Sequence, residues 1–90
     1  MERITEKMLQ RKVDYLNRIT KNPDTYMRGT GADRVINIGH YHLSFAYGGV
    51  ALEQTMNEGG GVYSTFNCGH VPKRELFNRI CAFIDGIELH

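Results

Sequence analysis

The spacing of apolar residues changes twice along this chain, and this change limits the folds that it can adopt. In the first part of the sequence, apolar side chains recur every three to five residues, as on one face of an α-helix. From Val35 to Phe66 the period falls to two, which is typical of strands with one buried face. Beyond Pro72 the helical spacing returns. This order predicts an α+β fold, a two-layer domain with both helices on one face of an antiparallel β-meander.

The sequence shows no linker and no internal repeat, which predicts a single domain over residues 1–90. Signals at the helix ends place the elements within it. Thr5 can cap the first helix, and Pro23 cannot continue it. Pro72 suits the first position of the second helix, and Gly86 suits its C-terminal cap. The predicted elements are a helix at about 5–21, a sheet of three to four strands at about 35–66 and a helix at about 72–85.

Two adjacent glycines predict the position of the central hairpin. Gly48-Gly49 can adopt the positive φ angles of a two-residue turn. Pairing outward from that turn places Leu43 opposite Gln54 and aligns the apolar faces of the two strands. The helices are expected to cover the face that carries Tyr41, Leu43 and Phe45.

The central part of the chain has an uneven charge distribution. The protein holds 11 basic and 10 acidic residues, yet residues 35–71 contain no lysine or arginine. A stretch of this kind is typical of a sheet whose faces are covered by its own helices or by another subunit. The alternative is a small sheet domain that is simply neutral. Because interfaces are rich in tyrosine and poor in lysine, we expect a homo-oligomer, at least a dimer, with much of its interface within residues 35–66.

Charge, hydropathy and cysteine content narrow the partners and the compartment. A net charge of +1 carries no nucleic-acid signature, and no apolar run approaches the roughly 18 residues of a membrane span. Two cysteines, Cys68 and Cys81, are too few for a disulfide framework and are expected to be reduced. The sequence therefore predicts a cytoplasmic protein without a membrane or nucleic-acid partner.

Two loops have the chemistry of an anion site. The run Gly59–Gly61 exposes backbone N–H groups and lets a ligand approach the main chain. Lys73 and Arg74 occupy the predicted first turn of the last helix, where cations oppose the helix dipole unless an anion lies nearby. The alternative is a pair of solvated cations partly offset by Glu75.

Aromatic rings could complete such a site. Tyr47 lies next to the predicted turn, Tyr63 lies on a strand, and His70 precedes the last helix. Such rings stack on bases or fill protein interfaces, although aromatic residues on strands more often belong to a core. The candidate ligand-binding residues are Tyr47, Gly59, Gly60, Gly61, Tyr63, His70, Lys73 and Arg74.

The sequence lacks the motifs of familiar enzymes and metal sites. His40 and His42 would share one face of a strand, and Cys68 with His70 could add two ligands, but this spacing resembles no common zinc signature. Cys68 and His70 also support a weaker alternative, a small enzyme with a cysteine nucleophile. We therefore expect a non-enzymatic protein with no cofactor and no metal.

Three motifs stand out as strings: YHL…AYGG at the hairpin, NEGGGV at the following turn, and GHVPKREL at the start of the last helix. They resemble small hypothetical proteins encoded by phages and prophages of Gram-negative bacteria, and the similarity covers most of residues 13–87. It implies a phage accessory protein in the host cytoplasm, a class that includes inhibitors of host defence. The resemblance assigns no catalytic residues.

Two functions of different classes remain open. In the first, the protein sequesters an anionic, nucleotide-like small molecule, with Lys73 and Arg74 on its phosphate and the Gly59–Gly61 loop closing over it. In the second, the neutral sheet face or a sheet edge binds a host defence complex, as an anti-CRISPR-like inhibitor would. The sequence slightly favours the first.

Overall fold

A computed structural model describes residues 3–23, 25, 27–29, 31 and 34–89. The predicted α+β class is confirmed, because two helices pack against a three-stranded antiparallel sheet in the chain order helix, strands, helix. Neither helix in the described part of the chain is long and apolar enough to cross a membrane. The elements are α1 (Glu6–Ile19), β1 (Met27–Arg28), β2 (Val35–Ile36), β3 (Tyr41–Ala46), β4 (Gly49–Thr55), β5 (Val62–Ser64) and α2 (Lys73–Glu88).

The core lies between the helices and one face of the sheet. Helix α1 contacts β3, α2 contacts β4, and the helices contact each other. Each leucine or isoleucine buried there contributes about 1.5–3 kcal/mol. The buried cluster consists of Ile4, Leu9, Val13, Leu16, Tyr41, Val50, Leu52, Leu76, Ile80 and Ile84.

The predicted cap at Thr5 is confirmed, whereas both predicted ends of the last helix differ from the structure. Pro72 was expected as its first helical residue but is the N-cap residue, with an extended ψ of 151°, and α2 begins at Lys73. The Thr5 hydroxyl caps α1 by accepting a hydrogen bond from the backbone N–H of Met8 at 3.2 Å. The predicted C-terminal cap at Gly86 is wrong, because α2 continues through this residue to Glu88. The extra turn lets Ile87 pack against the core, and the Tyr15 hydroxyl donates a hydrogen bond to the Glu88 carboxylate. That hydrogen bond raises the pKa of Tyr15.

The hairpin turns one residue earlier than predicted. Tyr47 and Gly48 form the turn, with φ angles of 54° and 74°, and Leu43 therefore lies opposite Leu52 instead of Gln54. The same side chains still share a face, because the partner changes by two residues. Gly49 belongs to β4, where an added Cβ would lie 3.0 Å from the backbone carbonyl carbon of His70. This glycine is needed for a close approach of two chain segments.

The predicted start of the sheet at Val35 is also incorrect. Strand β2 pairs with β1 in a separate ladder, and β1 lies between the first predicted helix and the predicted sheet. The main sheet begins only at Tyr41, after a turn that includes Gly39 at φ 93°. The buried side chain of Asn37 donates a hydrogen bond to the Thr25 carbonyl at 2.9 Å and so ties this ladder together.

The predicted buried face holds at one end of β3 and fails at the other. Tyr41 is buried, and Leu43 packs against the core cluster. Phe45 lies at the far end of the strand and is 51% exposed. Val50, which lies opposite Phe45 on β4, is fully buried. The exposed apolar surface at this end of the hairpin therefore lies on β3.

A buried asparagine joins α1 to the edge of β3. Asn17 has no exposed surface. Its Oδ1 atom accepts a hydrogen bond from the Tyr41 N–H at 2.8 Å, and its Nδ2 atom donates one to the Tyr41 carbonyl at 3.0 Å. The side-chain amide thus bonds both edge groups of this residue, as a neighbouring strand would.

The first prediction concerns this amide. We expect Asn17→Ala to lower the free energy of unfolding by about 2–4 kcal/mol, because two buried backbone groups lose their partner. Urea denaturation measures the difference. The control is Asn78→Ala on the exposed surface of α2, which should leave stability nearly unchanged. Equal midpoints for the two variants would contradict a structural role for Asn17.

Candidate functional site

The structure places the candidate residues at two ends of β4. Tyr47, His70 and the first turn of α2 lie beside the hairpin turn, where β4 begins. The Gly59–Gly61 turn and Tyr63 follow the other end of the strand. Seven residues of β4 span about 20 Å at about 3.3 Å per residue. The glycine turn is therefore not brought together with Lys73 and Arg74.

The Gly59–Gly61 turn is wrapped around the side chain of Asn57. Asn57 Oδ1 accepts hydrogen bonds from the N–H groups of Gly59 and Gly61, each at 3.0 Å, and the Asn57 carbonyl accepts one from Gly60 at 3.1 Å. A Cβ at Gly61 would lie 2.5 Å from Asn57 Nδ2. The three N–H groups thus have partners within the turn, and crowding around Asn57 accounts for a glycine at position 61.

A short backbone bridge fixes the chain before α2 against the hairpin. The N–H groups of Val50 and Val71 each donate to the other residue's carbonyl, at 2.8 and 2.9 Å. The missing side chain of Gly49 leaves room for the backbone of His70 beside it. The bridge brings His70 and the start of α2 to the turn, although β5 ends six residues before His70. We call Tyr47, His70, Lys73 and Arg74 the hairpin end.

Tyr47 is the least expected residue of the hairpin end. It is 98% exposed and has a φ angle of 54°, a left-handed conformation that costs a non-glycine residue about 1–2 kcal/mol. Its ring meets the His70 ring edge to face, with 5.8 Å between centroids. Nε2 of His70 lies 3.1 Å from the Ser44 hydroxyl, which fixes the imidazole over the sheet. Folding alone does not favour a tyrosine at this position.

The first turn of α2 adds positive charge to this surface. Helix α2 starts after Pro72, and no side chain among the described residues caps it by a hydrogen bond. Lys73 and Arg74 follow directly. The Glu75 carboxylate, in the same turn of the helix, bonds the Arg79 guanidinium at 3.2 Å. The hairpin end therefore combines an exposed aromatic ring with two cations and the positive end of a helix.

Among the described residues, those considered for catalysis or metal binding do not gather into one cluster. The His70 ring contacts Ser44 and Tyr47, whereas the Cys68 thiol lies 3.7 Å from the Gly69 carbonyl. The rings of His40 and His42 stack at 5.8 Å, and His42 lies 3.4 Å from a Glu53 carboxylate oxygen. The described residues contain no group of three or more His, Cys, Asp or Glu side chains that could hold a metal ion.

A cavity of about 200 Å³ lies away from the hairpin end. Pockets for drug-sized ligands are about 300–1,000 Å³, so this one is small for a nucleotide. It also carries a carboxylate, which repels phosphate. Its lining consists of Pro23, Val35, Ile36, Asn37, Ile38 and Glu58.

Sequence reasoning missed three residues that shape these surfaces. Asn57 precedes a glycine run, and such a position favours a side-chain turn, so its role had a readable signal. The contact of Ser44 with His70 and the close approach at Gly49 join segments more than 20 residues apart in the chain. No local pattern reports contacts of that kind.

The chain matches no protein-family model, no curated protein and no solved structure. The surface therefore has to be interpreted from its own chemistry.

The second prediction tests the close approach at Gly49. We expect Gly49→Ala to lower the unfolding free energy by about 1–3 kcal/mol, because its Cβ would press against the backbone of His70. The measurement is a thermal or urea melt. Gly86→Ala is the matched control, since its Cβ would meet open space within a helix and should stabilise by about 0.5–1 kcal/mol. A melting temperature or urea midpoint of Gly49→Ala equal to or higher than that of the parent protein would refute the close approach.

Proposed function

We propose that this chain is a non-enzymatic binding protein and that its partner is a protein with an acidic segment, docked on the hairpin end. The observation that carries the proposal is Tyr47, a fully exposed ring in a strained backbone conformation. Strain retained without a folding benefit is typical of functional positions. Tyrosine is also among the residues that most often dominate the binding energy of protein interfaces.

Charge defines the partner more closely. Lys73 and Arg74 are the first Lys or Arg residues after a stretch of 38 residues without either, so positive charge returns to the sequence close to the hairpin. Together with the dipole of α2 they favour carboxylates. A partner that fits would place an apolar or aromatic side chain against Tyr47 and acidic groups at the start of α2.

The resemblance to phage proteins would give this partner an identity. If the chain is a phage accessory protein, its target in the host cytoplasm would be a component of a defence complex, which it would inhibit by occupying a surface. This part of the proposal depends on the three sequence motifs alone.

A nucleotide-like small molecule is the second candidate ligand. The edge-to-face pair of Tyr47 and His70 supports it, because a base could stack on these rings while Lys73 and Arg74 hold a phosphate. Such a ligand would lie on an open surface, without the Gly59–Gly61 turn. Native mass spectrometry of the protein taken directly from lysate separates the candidates, because a bound small molecule adds a few hundred daltons and a protein adds thousands.

The third prediction separates binding from stability at Tyr47. We expect Tyr47→Asn to be as stable as the parent protein or up to about 1 kcal/mol more stable, because asparagine tolerates a left-handed φ. Binding should nevertheless weaken at least about tenfold, as for a dominant interface residue. Thermal melts and affinity capture from a Gram-negative bacterial lysate give the two values. Unchanged capture by Tyr47→Asn would exclude the hairpin end as the docking surface.

The fourth prediction concerns the two cations. Lys73→Ala with Arg74→Ala should weaken binding of the captured partner, and the loss should shrink as salt increases, because screening already weakens charge pairs in the parent protein. The matched control is Lys7→Ala with Arg11→Ala, which removes two exposed cations from α1. Titrations at low and high salt give the comparison. Equal effects of the two double variants would mean that only net charge matters.

A further inference from the structure

The backbone of β3 presents hydrogen-bonding groups at an open edge of the sheet. Val50 exchanges both of its bonds with Val71, on the side of β4 away from β3. Its partner Phe45 therefore belongs to a non-hydrogen-bonded pair, and the N–H and C=O of Phe45 point away from the sheet. Because the pattern repeats every second residue, the same groups of Leu43 and Tyr41 point outward too.

Among the residues that the structure describes, one of these three positions is closed. Asn17 bonds both outward groups of Tyr41. Within the described part of the chain, no group bonds the outward N–H or C=O of Leu43 or Phe45. The open edge thus holds two donors and two acceptors, spaced by two residues.

The β3 edge lacks the features that prevent edge strands of two molecules from pairing with each other. Strand β3 contains no lysine, no acidic residue and no proline, and it pairs with β4 without interruption. The Phe45 side chain beside it is 51% exposed. An uncharged, regular edge with an exposed aromatic residue favours the addition of another strand.

We propose that a second copy of this chain pairs with this edge, with the two β3 strands antiparallel about a two-fold axis at Ser44. In this register Leu43 lies opposite the partner subunit's Phe45, and Phe45 lies opposite the partner subunit's Leu43. Each of these two pairs exchanges two hydrogen bonds, so all eight outward groups of the two copies are satisfied. A register centred on any other residue of β3 leaves some of them unpaired.

The open edge requires a certain pattern of side chains in an added strand, and a second copy of this chain has that pattern. An added strand must place apolar side chains beside Leu43 and Phe45 on the helix-covered face, and a small polar side chain beside Ser44 on the other face. Strand β3 meets both requirements itself, since Leu43 and Phe45 alternate with Ser44. The pairing opposes no like charges, because β3 carries no Lys, Arg, Asp or Glu. It also covers the exposed ring of Phe45.

The dimer would contain one six-stranded sheet. Its interface is separate from the docking surface proposed at the hairpin end. The rings of Tyr47 and His70 contact each other beside β4 and contribute no hydrogen-bonding group to the edge. Antiparallel pairing would set the two hairpin ends at opposite ends of the sheet. Each dimer would then offer two equal docking surfaces, which raises the apparent affinity for a multivalent partner.

Oligomeric state measured with charge variants tests the proposal. Light scattering of the parent protein should give twice the monomer mass of 10.3 kDa. Phe45→Lys and Phe45→Glu should each give the monomer mass alone, because the two like charges would be diagonal neighbours across the two-fold axis. An equimolar mixture of the two variants should regain the dimer mass. Val62→Lys is the control, since Val62 is 47% exposed on β5 and should leave the dimer intact.

Hydrogen exchange on the parent protein needs no substitution and covers the case of a variant that fails to fold. The Leu43 and Phe45 amides point away from their own sheet, so slow exchange requires a neighbouring chain. We expect them to exchange as slowly as the Ser44 amide at high protein concentration and to become fast on dilution. A parent protein of monomer mass, fast exchange at both amides at high concentration, a Phe45→Lys dimer or a Val62→Lys monomer would each overturn the proposal.

Discussion

The amide of Asn17 is the interaction on which the arrangement of this fold depends most. A side chain on α1 bonds both edge groups of Tyr41, so one contact fixes the helix to the sheet and closes one end of the β3 edge. The cost of leaving buried backbone groups unpaired makes this contact specific, since an apolar side chain could fill the space but could not bond Tyr41. Closing Tyr41 leaves Leu43 and Phe45 as the open part of the edge.

A second backbone contact, between Val50 and Val71, positions the residues of the hairpin end. It holds the start of α2 against the hairpin, and Gly49 leaves room for this approach. Without it, the cations at the start of α2 would have no fixed relation to Tyr47. The bridge also holds His70 beside the ring of Tyr47, whose left-handed φ of 54° is unfavourable for a non-glycine residue.

The sequence predicted what depends on periodicity and missed what depends on distant contacts. Helical spacing and the cap at Thr5 placed α1, and alternating residues assigned the correct face to Tyr41 and Leu43. The turn was misplaced because Gly48-Gly49 matches a local rule, whereas Gly49 is required by the backbone of His70. For the candidate site, the sequence identified Tyr47, His70 and the cations of α2, but the length of β4 separates them from the glycine turn.

The turn lies one residue earlier than the sequence predicts, and this difference determines the conformation and the contacts of Tyr47. With the turn at Gly48-Gly49, Tyr47 would be the last paired residue of β3, in extended conformation opposite Val50. With the observed turn, Val50 lies opposite Phe45, and Tyr47 is forced into a left-handed conformation at the tip, where its ring reaches His70. The same shift ends β3 at Ala46, so the pairing edge and the exposed tyrosine belong to separate surfaces. The proposed self-association and the proposed partner binding therefore use different groups of the chain.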